Sequence, residues 1–168
     1  MKPNILLVDD NAETLEALCM AILSFGYLCD TATNGEDALS KIQNAKYQVL
    51  ITDLIMPLMN GIELIENVKK VNDEILCLII SGDSDVEMVI SALSQHKAYD
   101  FLLKPFSTIL LKNRIDKALE VYQLKEKIKT IVISEDEHFR QIIEIFDWKK
   151  ELQKKQYESL ASKIIRQI

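Results

Sequence analysis

Ile5-Leu6-Leu7-Val8-Asp9-Asp10-Asn11 is the stretch on which the fold turns. Four consecutive apolar residues with β-branched ends suit a short strand covered on both faces, and the two carboxylates that follow stop it abruptly. From Glu13 the apolar residues take up helical spacing and run to Phe25, where Gly26 supplies a C-terminal cap. A covered strand that ends in charge and passes directly into a helix is half of a strand–helix–strand unit.

Working outward, the same alternation recurs. Short apolar runs at residues 5–8, 28–32, 49–52, 76–80 and 101–103 read as strands. Segments of helical period lie between them at residues 13–25, 36–45, 62–70 and 86–95, with a last helix beginning after Ser107. Asn34 and Ser107 are placed as N-caps. Five nearly apolar strands alternating strictly with five helices predict an α/β fold, a doubly wound five-stranded parallel sheet.

The composition agrees. The chain has 168 residues, 48% of them hydrophobic and 27% charged, which suffices for one full core and leaves no room for a second full-sized domain. The formal charge of -6 opposes attraction to phosphate backbones and anionic lipid. Residues 1–120 carry 10 Lys+Arg against 18 Asp+Glu, whereas residues 121–168 carry 10 against 8. All four glycines and all three prolines fall in the first part, so the sequence divides into an acidic domain, residues 1–122, and a helical extension, residues 123–168. Cys19, Cys29 and Cys77 sit in apolar stretches without metal-ligand spacing and are expected as core thiols in a reducing cytosol. The first apolar run is too short for a signal peptide and no run reaches membrane-spanning length, so the expectation is a cytoplasmic protein with no membrane partner.

In a doubly wound sheet, ligands gather beyond the carboxyl ends of the strands. The first strand ends in Asp9-Asp10, the third in Asp53, the fourth in Ser81 and the fifth in Lys104-Pro105. An Asp-Asp pair alone reads as a turn; the coincidence of several strand ends on one rim is what points to chemistry. Three adjacent carboxylates repel one another and call for a cation, and oxygen donors without His or Cys favour Mg²⁺. A carboxylate nucleophile, a metal and a lysine together suit a phosphoryl acceptor, with the Ser81 hydroxyl available to a phosphoryl oxygen. A dinucleotide fold fails because Asp9-Asp10-Asn11-Ala12 has no glycine, and a haloacid-dehalogenase-like phosphatase fails because Asn11 stands where its second aspartate belongs.

Four stretches in order, Ile5 to Asn11, Asp53-Leu-Ile-Met-Pro-Leu-Met-Asn-Gly61, Ile80-Ser81-Gly82 and Ala98-Tyr-Asp-Phe-Leu-Leu-Lys-Pro-Phe106, give a chain that resembles the receiver domain of bacterial two-component response regulators over about residues 3–120. The resemblance implies a flavodoxin-like strand order 2-1-3-4-5. It implies that Asp53 accepts a phosphoryl group from a phosphohistidine on a sensor histidine kinase or phosphotransfer protein, and that Lys104 pairs with that group. Asp10, Asp53 and the backbone carbonyl of Ile55 would bind Mg²⁺ with Asp9 assisting, Ser81 and Phe101 would form the switch, and the Lys104-Pro105 bond would be cis. Two residues depart from the common pattern: Ser81 where threonine is frequent and Lys97 where glycine is usual. The domain would catalyse only its own phosphorylation and dephosphorylation. A different reading is a non-output interaction module that docks a signalling partner through the same fold. Tyr99, Met56 and Met59 are read as packing, and His96 and His138 as surface residues.

The last helix shows Leu111, Ile115, Ala118, Leu119 and Tyr122 at core spacing. β-Branched residues at 130–133 predict a break, and Ser134 with Glu137 a new helix start. Phe139, Ile143, Phe146, Tyr157, Leu160 and Ile164 then form a stripe that predicts a coiled coil and a homodimer through the extension. With no helix-turn-helix in this tail, the expectation is no direct DNA binding. The chain stops in mid-pattern at Ile168, which suggests a fragment of a longer protein.

Overall fold

The structure, a computed structural model, describes residues 4–82, 86–95 and 97–132. The elements alternate strictly: β1 (Asn4–Val8), α1 (Ala12–Ser24), β2 (Leu28–Ala32), α2 (Gly35–Asn44), β3 (Val49–Asp53), α3 (Gly61–Val71), β4 (Leu76–Ser81), α4 (Val86–Ser94), β5 (Asp100–Leu103) and α5 (Thr108–Val132). The five strands form one parallel sheet in the order β2-β1-β3-β4-β5. β1 therefore lies between β2 and β3, and the chain reverses direction across the sheet at that point. Such reversals open a crevice at the carboxyl rim.

Strand alternation sends side chains to opposite faces, and both faces are covered. Ile5 and Leu7 of β1, Val49 and Ile51 of β3, Leu76, Leu78 and Ile80 of β4 and Leu102 of β5 share one core with Leu15 and Ile22 of α1 and with Leu111, Ile115, Ala118 and Leu119 of α5. The residues between them, Leu6, Val8, Leu50, Cys77 and Ile79, are buried as well, as are Ala38, Leu64, Ile65, Val68, Val89 and Ala92 of the other helices. β2 departs from the nearly apolar pattern, because an edge strand is only half covered: Leu28 and Asp30 face solvent.

The helix starts are fixed by side-chain caps. Asn11 accepts from the Thr14 N–H at 2.9 Å and Asn34 from the Asp37 N–H at 2.9 Å. Asn60 caps α3 in a reciprocal box, accepting from the Glu63 N–H at 3.0 Å while Glu63 accepts from the Asn60 N–H at 3.0 Å. Ser107 accepts from the Leu110 N–H at 3.2 Å. Gly26, at φ +91, takes the left-handed conformation that ends α1.

The chain divides into two units, Met1–Tyr122 and Gln123–Ile168, and of the second the described part is the end of α5. The break expected at residues 130–133 is not seen as far as Val132: α5 stays helical, and the Thr130 hydroxyl donates to the Glu126 carbonyl at 2.9 Å, a back-bond that a β-branched Thr makes within a helix. The new helix start at Ser134, the coiled-coil stripe, His96 and His138 lie outside the described residues. Among the described residues no helix is long and apolar enough to cross a membrane. Of the cysteines only Cys77 is fully core; Cys19 and Cys29 are half-buried because they sit where α1 covers the sheet edge.

Candidate functional site

Parallel pairing brings the ends of β1, β3, β4 and β5 to one rim. Val8 pairs with Thr52, Asp53 with Ile80, and Ser81 with Leu103. The pairing continues past the last side chains: the Leu54 N–H donates to the Ile80 carbonyl at 2.9 Å and the Lys104 N–H to the Ser81 carbonyl at 2.8 Å. These bonds hold Asp53 and Lys104, 51 residues apart, at a common level.

Lys104 Nζ lies 2.5 Å from Asp53 Oδ1 and 3.7 Å from Asp9 Oδ2. The Ile55 N–H donates to Asp53 Oδ2 at 2.9 Å, so the two oxygens of Asp53 are held by donors on different sides. Asp9 is more deeply set. Its Oδ1 accepts from the Asn11 N–H at 2.9 Å, and its Oδ2 is a buried oxygen without a hydrogen-bond partner. Burial is the largest influence on Asp9 and pushes its carboxyl above the ordinary range; the Asn11 N–H opposes this, the charge of Asp53 adds to it, Lys104 opposes and Asp10 adds. For Lys104 burial works against the ammonium, but the hydrogen bond and charge of Asp53, and then Asp9, outweigh it and hold the lysine above its ordinary value.

Asp10 is exposed at the same rim, and among the described residues no three His, Cys, Asp or Glu side chains are gathered into a ready metal cage. Ile55 is exposed, directly after the Asp53-Leu54 turn. Ser81 is buried with its hydroxyl donating to the Gly82 carbonyl at 3.0 Å. Phe101 is half-buried on β5, between buried Asp100 and Leu102. The Lys104-Pro105 bond is cis, as expected. Met56 is buried, and Met59 packs against Gly35 at the start of α2. Lys97 pairs with Glu66 of α3 at 2.6 Å.

Two residues that shape the site escaped the sequence reading. Gly61, the first residue of α3, donates its N–H to the Leu54 carbonyl at 2.9 Å, and a Cβ on it would stand 2.3 Å from the Asp53 carbonyl oxygen. The helix thus closes directly onto the backbone of Asp53. Asn60 sets that helix start through its capping box. The signal was present in Asn60-Gly61-Ile62-Glu63, an N-cap residue three positions before a glutamate.

The family model for the response regulator receiver domain matches residues 5–116. The chain belongs to that family. Among curated relatives, the DNA-binding transcriptional regulator NtrC of Salmonella typhimurium is 28% identical over 76% of this chain and 27% of its own length. The transcriptional regulatory protein ZraR of the same organism is 32% identical over 70% of this chain and 26% of its own. A solved chain described as the adenylate cyclase from Rhodopirellula baltica is 26% identical, with a TM-score of 0.76 over 80% of this chain and 99% of that one. The present chain spans about a quarter of the length of those curated regulators. Receiver domains are signalling domains, and the five-stranded order found here is that of a flavodoxin-like fold.

These relatives correct the expectation of no direct DNA binding. It rested on the lack of a helix-turn-helix in residues 123–168, but NtrC is by name a DNA-binding regulator and about three quarters of its length has no counterpart in this chain. A tail of 46 residues carries no argument against DNA in proteins of that build.

Proposed function

We propose that this chain is a phosphoacceptor switch in which Asp53 takes a phosphoryl group from a phosphohistidine of a sensor histidine kinase or phosphotransfer protein. The observation that carries this reading is the Asp53 carboxylate fixed at the rim by two different donors, Lys104 Nζ and the Ile55 N–H, beside the buried Asp9 oxygen that has no hydrogen-bond partner. In this reading residues 1–122 are the receiver, residues 123–168 the extension that carries the response onward, and the setting is cytoplasmic, where ATP-fed kinases form phosphohistidine.

A buried carboxylate oxygen with no hydrogen-bond partner, in a site of oxygen donors, fits a hard cation. Asp10, Asp53 and the Ile55 carbonyl, assisted by Asp9, are the donors that would hold Mg²⁺. When bound, it would supply positive charge for the phosphoryl oxygens. The chain's own residues do the rest. An Asp53 carboxylate oxygen attacks phosphorus; an O–P bond forms as the N–P bond to histidine breaks, and its electron pair returns to the imidazole nitrogen. Lys104, with its proton held tightly, is an ammonium throughout the neutral range and pairs with the transferring oxygens. The Ile55 N–H keeps the second carboxylate oxygen in place.

Phosphorylation adds nearly two negative charges at the rim. The Ser81 hydroxyl then exchanges its bond to the Gly82 carbonyl for one to a phosphoryl oxygen, and Phe101 moves into the space released. The face of α4, β5 and α5 changes shape, and α5, continuous to Val132, transmits it. Asp53→Asn is expected to abolish labelling by acetyl phosphate with Mg²⁺ while leaving the circular dichroism spectrum unchanged; full-stoichiometry labelling of this variant contradicts the assignment.

A further inference from the structure

Away from the rim, two of the three thiols meet. Cys19 lies on α1 and Cys29 on the edge strand β2, ten residues later in the sequence. Cys19 Sγ is 3.8 Å from the Cys29 carbonyl oxygen and Cys29 Sγ is 3.8 Å from the Asp30 carbonyl oxygen, and both cysteines pack against the same hydrophobic core. Both are half-buried, within reach of a small reagent, whereas Cys77 is buried in β4 with its Sγ 3.5 Å from the Ile75 carbonyl oxygen. The phosphoryl chemistry uses none of them.

We propose that Cys19 and Cys29 form a redox-modifiable pair that closes to an intrachain disulfide in the presence of a low-molecular-weight disulfide such as oxidised glutathione, tying α1 to the sheet edge. The Cys19 thiolate, its proton released to solvent, attacks one sulfur of the oxidant; that S–S bond breaks and one glutathione leaves as thiolate. The Cys29 thiolate then attacks Cys19 Sγ and expels the second glutathione. Two protein thiols are oxidised and one small disulfide is reduced to two thiols. The sulfurs must close to about 2.05 Å, which for a Cys19 Sγ already 3.8 Å from the Cys29 backbone requires local adjustment of α1 against β2.

The order of attack follows from the surroundings. Burial raises the Cys29 thiol well above its ordinary value, with the hydrogen bond and charge of Cys19 adding to the rise. Because thiolate is the attacking species, Cys29 suits the second, intramolecular step, where its partner is held beside it. Ring closure accordingly speeds up as pH rises. Cytosolic disulfides of this kind are formed transiently, as sensors or protective states.

The test uses the full 168-residue chain, reduced and then incubated with oxidised glutathione, alkylated and digested. No Lys or Arg lies between Pro3 and Lys41, so trypsin leaves both cysteines on one peptide, and chymotrypsin separates them after Phe25 or Tyr27. The expected result is a tryptic peptide lighter by about 2 Da, chymotryptic fragments joined until reduced, and Cys77 fully alkylated. Formation should be faster at about pH 8.5 than at about pH 7. Cys29→Ser should stop at a stable glutathione adduct on Cys19. Separate adducts on Cys19 and Cys29 in the parent chain, disulfide-linked dimers as the main product, or both thiols fully alkylated after incubation would each overturn the proposal. The parent-chain digest decides the matter even where the variant fails to fold.

Discussion

Gly61→Ala tests whether the site depends on α3 closing against the Asp53 backbone. The added Cβ would stand 2.3 Å from the Asp53 carbonyl oxygen, 3.1 Å from Leu54 Cα and 3.2 Å from the Asp53 carbonyl carbon. Restoring ordinary contact requires the two segments to part by about 1 Å, and neither is a pliable side chain. Asp53 is paired to Ile80, the Leu54 N–H is bonded to the Ile80 carbonyl, and the Gly61 N–H draws α3 onto Leu54. Overpacking of this kind costs about 1–3 kcal/mol, and the better helix propensity of alanine returns at most about 1 kcal/mol, so a net loss remains. The displacement falls on the residue that carries the acceptor carboxylate, where about 1 Å can cost on the order of 100-fold in rate. Urea unfolding and the initial rate of acetyl-phosphate labelling measure the two effects separately. Gly26→Ala is the control: its φ of +91 imposes strain but nothing lies within 4 Å, so it should lose about 1–2 kcal/mol of stability and no labelling rate. Wild-type labelling by Gly61→Ala, or an equal loss in Gly26→Ala, refutes the reasoning.

Asp9→Asn should raise the urea midpoint at neutral pH. The native state holds the Asp9 proton more tightly than the unfolded chain, so the stability tied to that proton is full below the ordinary value of 3.8 and lost as pH rises through the raised native value. The gain should vanish on acidification below that value, and Mg²⁺ should stabilise the variant less than the parent; a lower midpoint at neutral pH contradicts this. Arg114→Met breaks the 2.5 Å pair with buried Asp100 and should cost about 1.5–3 kcal/mol in urea unfolding; a change within about 0.5 kcal/mol would assign the pair no structural role. Asn60→Ala removes the α3 capping box and should cost about 0.5–2 kcal/mol while reducing labelling less than Gly61→Ala does; an equal labelling loss would shift the explanation from backbone contact to helix capping.

The fold was legible because β1, β3 and β4 are covered on both faces, so their side chains alone mark them as strands. Their ends were less so. Asp53, Ser81 and Asp100 belong to strands because their main chains pair with Ile80, Leu103 and Leu78, and polarity of the side chain does not reveal that. Asp9, Asp53 and Lys104 were readable as a site from the rule that parallel strand ends share a rim, and the structure brings these three together. Asp10, just past the end of β1, is exposed where Asp9 is buried. Arg114 with Asp100, and Cys19 with Cys29, join elements whose packing distance no local pattern encodes. Gly61 was visible as a glycine, but what made it necessary was the backbone opposite, eight residues earlier.

The central claim is that Asp53 is the phosphoacceptor, and the most direct measurement is to map the modified residue. The parent chain, labelled with acetyl phosphate and Mg²⁺, is treated with borohydride to reduce the acyl phosphate and then sequenced by mass spectrometry. Conversion of Asp53 alone, dependent on Mg²⁺, is the predicted result; conversion of Asp9 or Asp10 instead, or of no aspartate, contradicts the account.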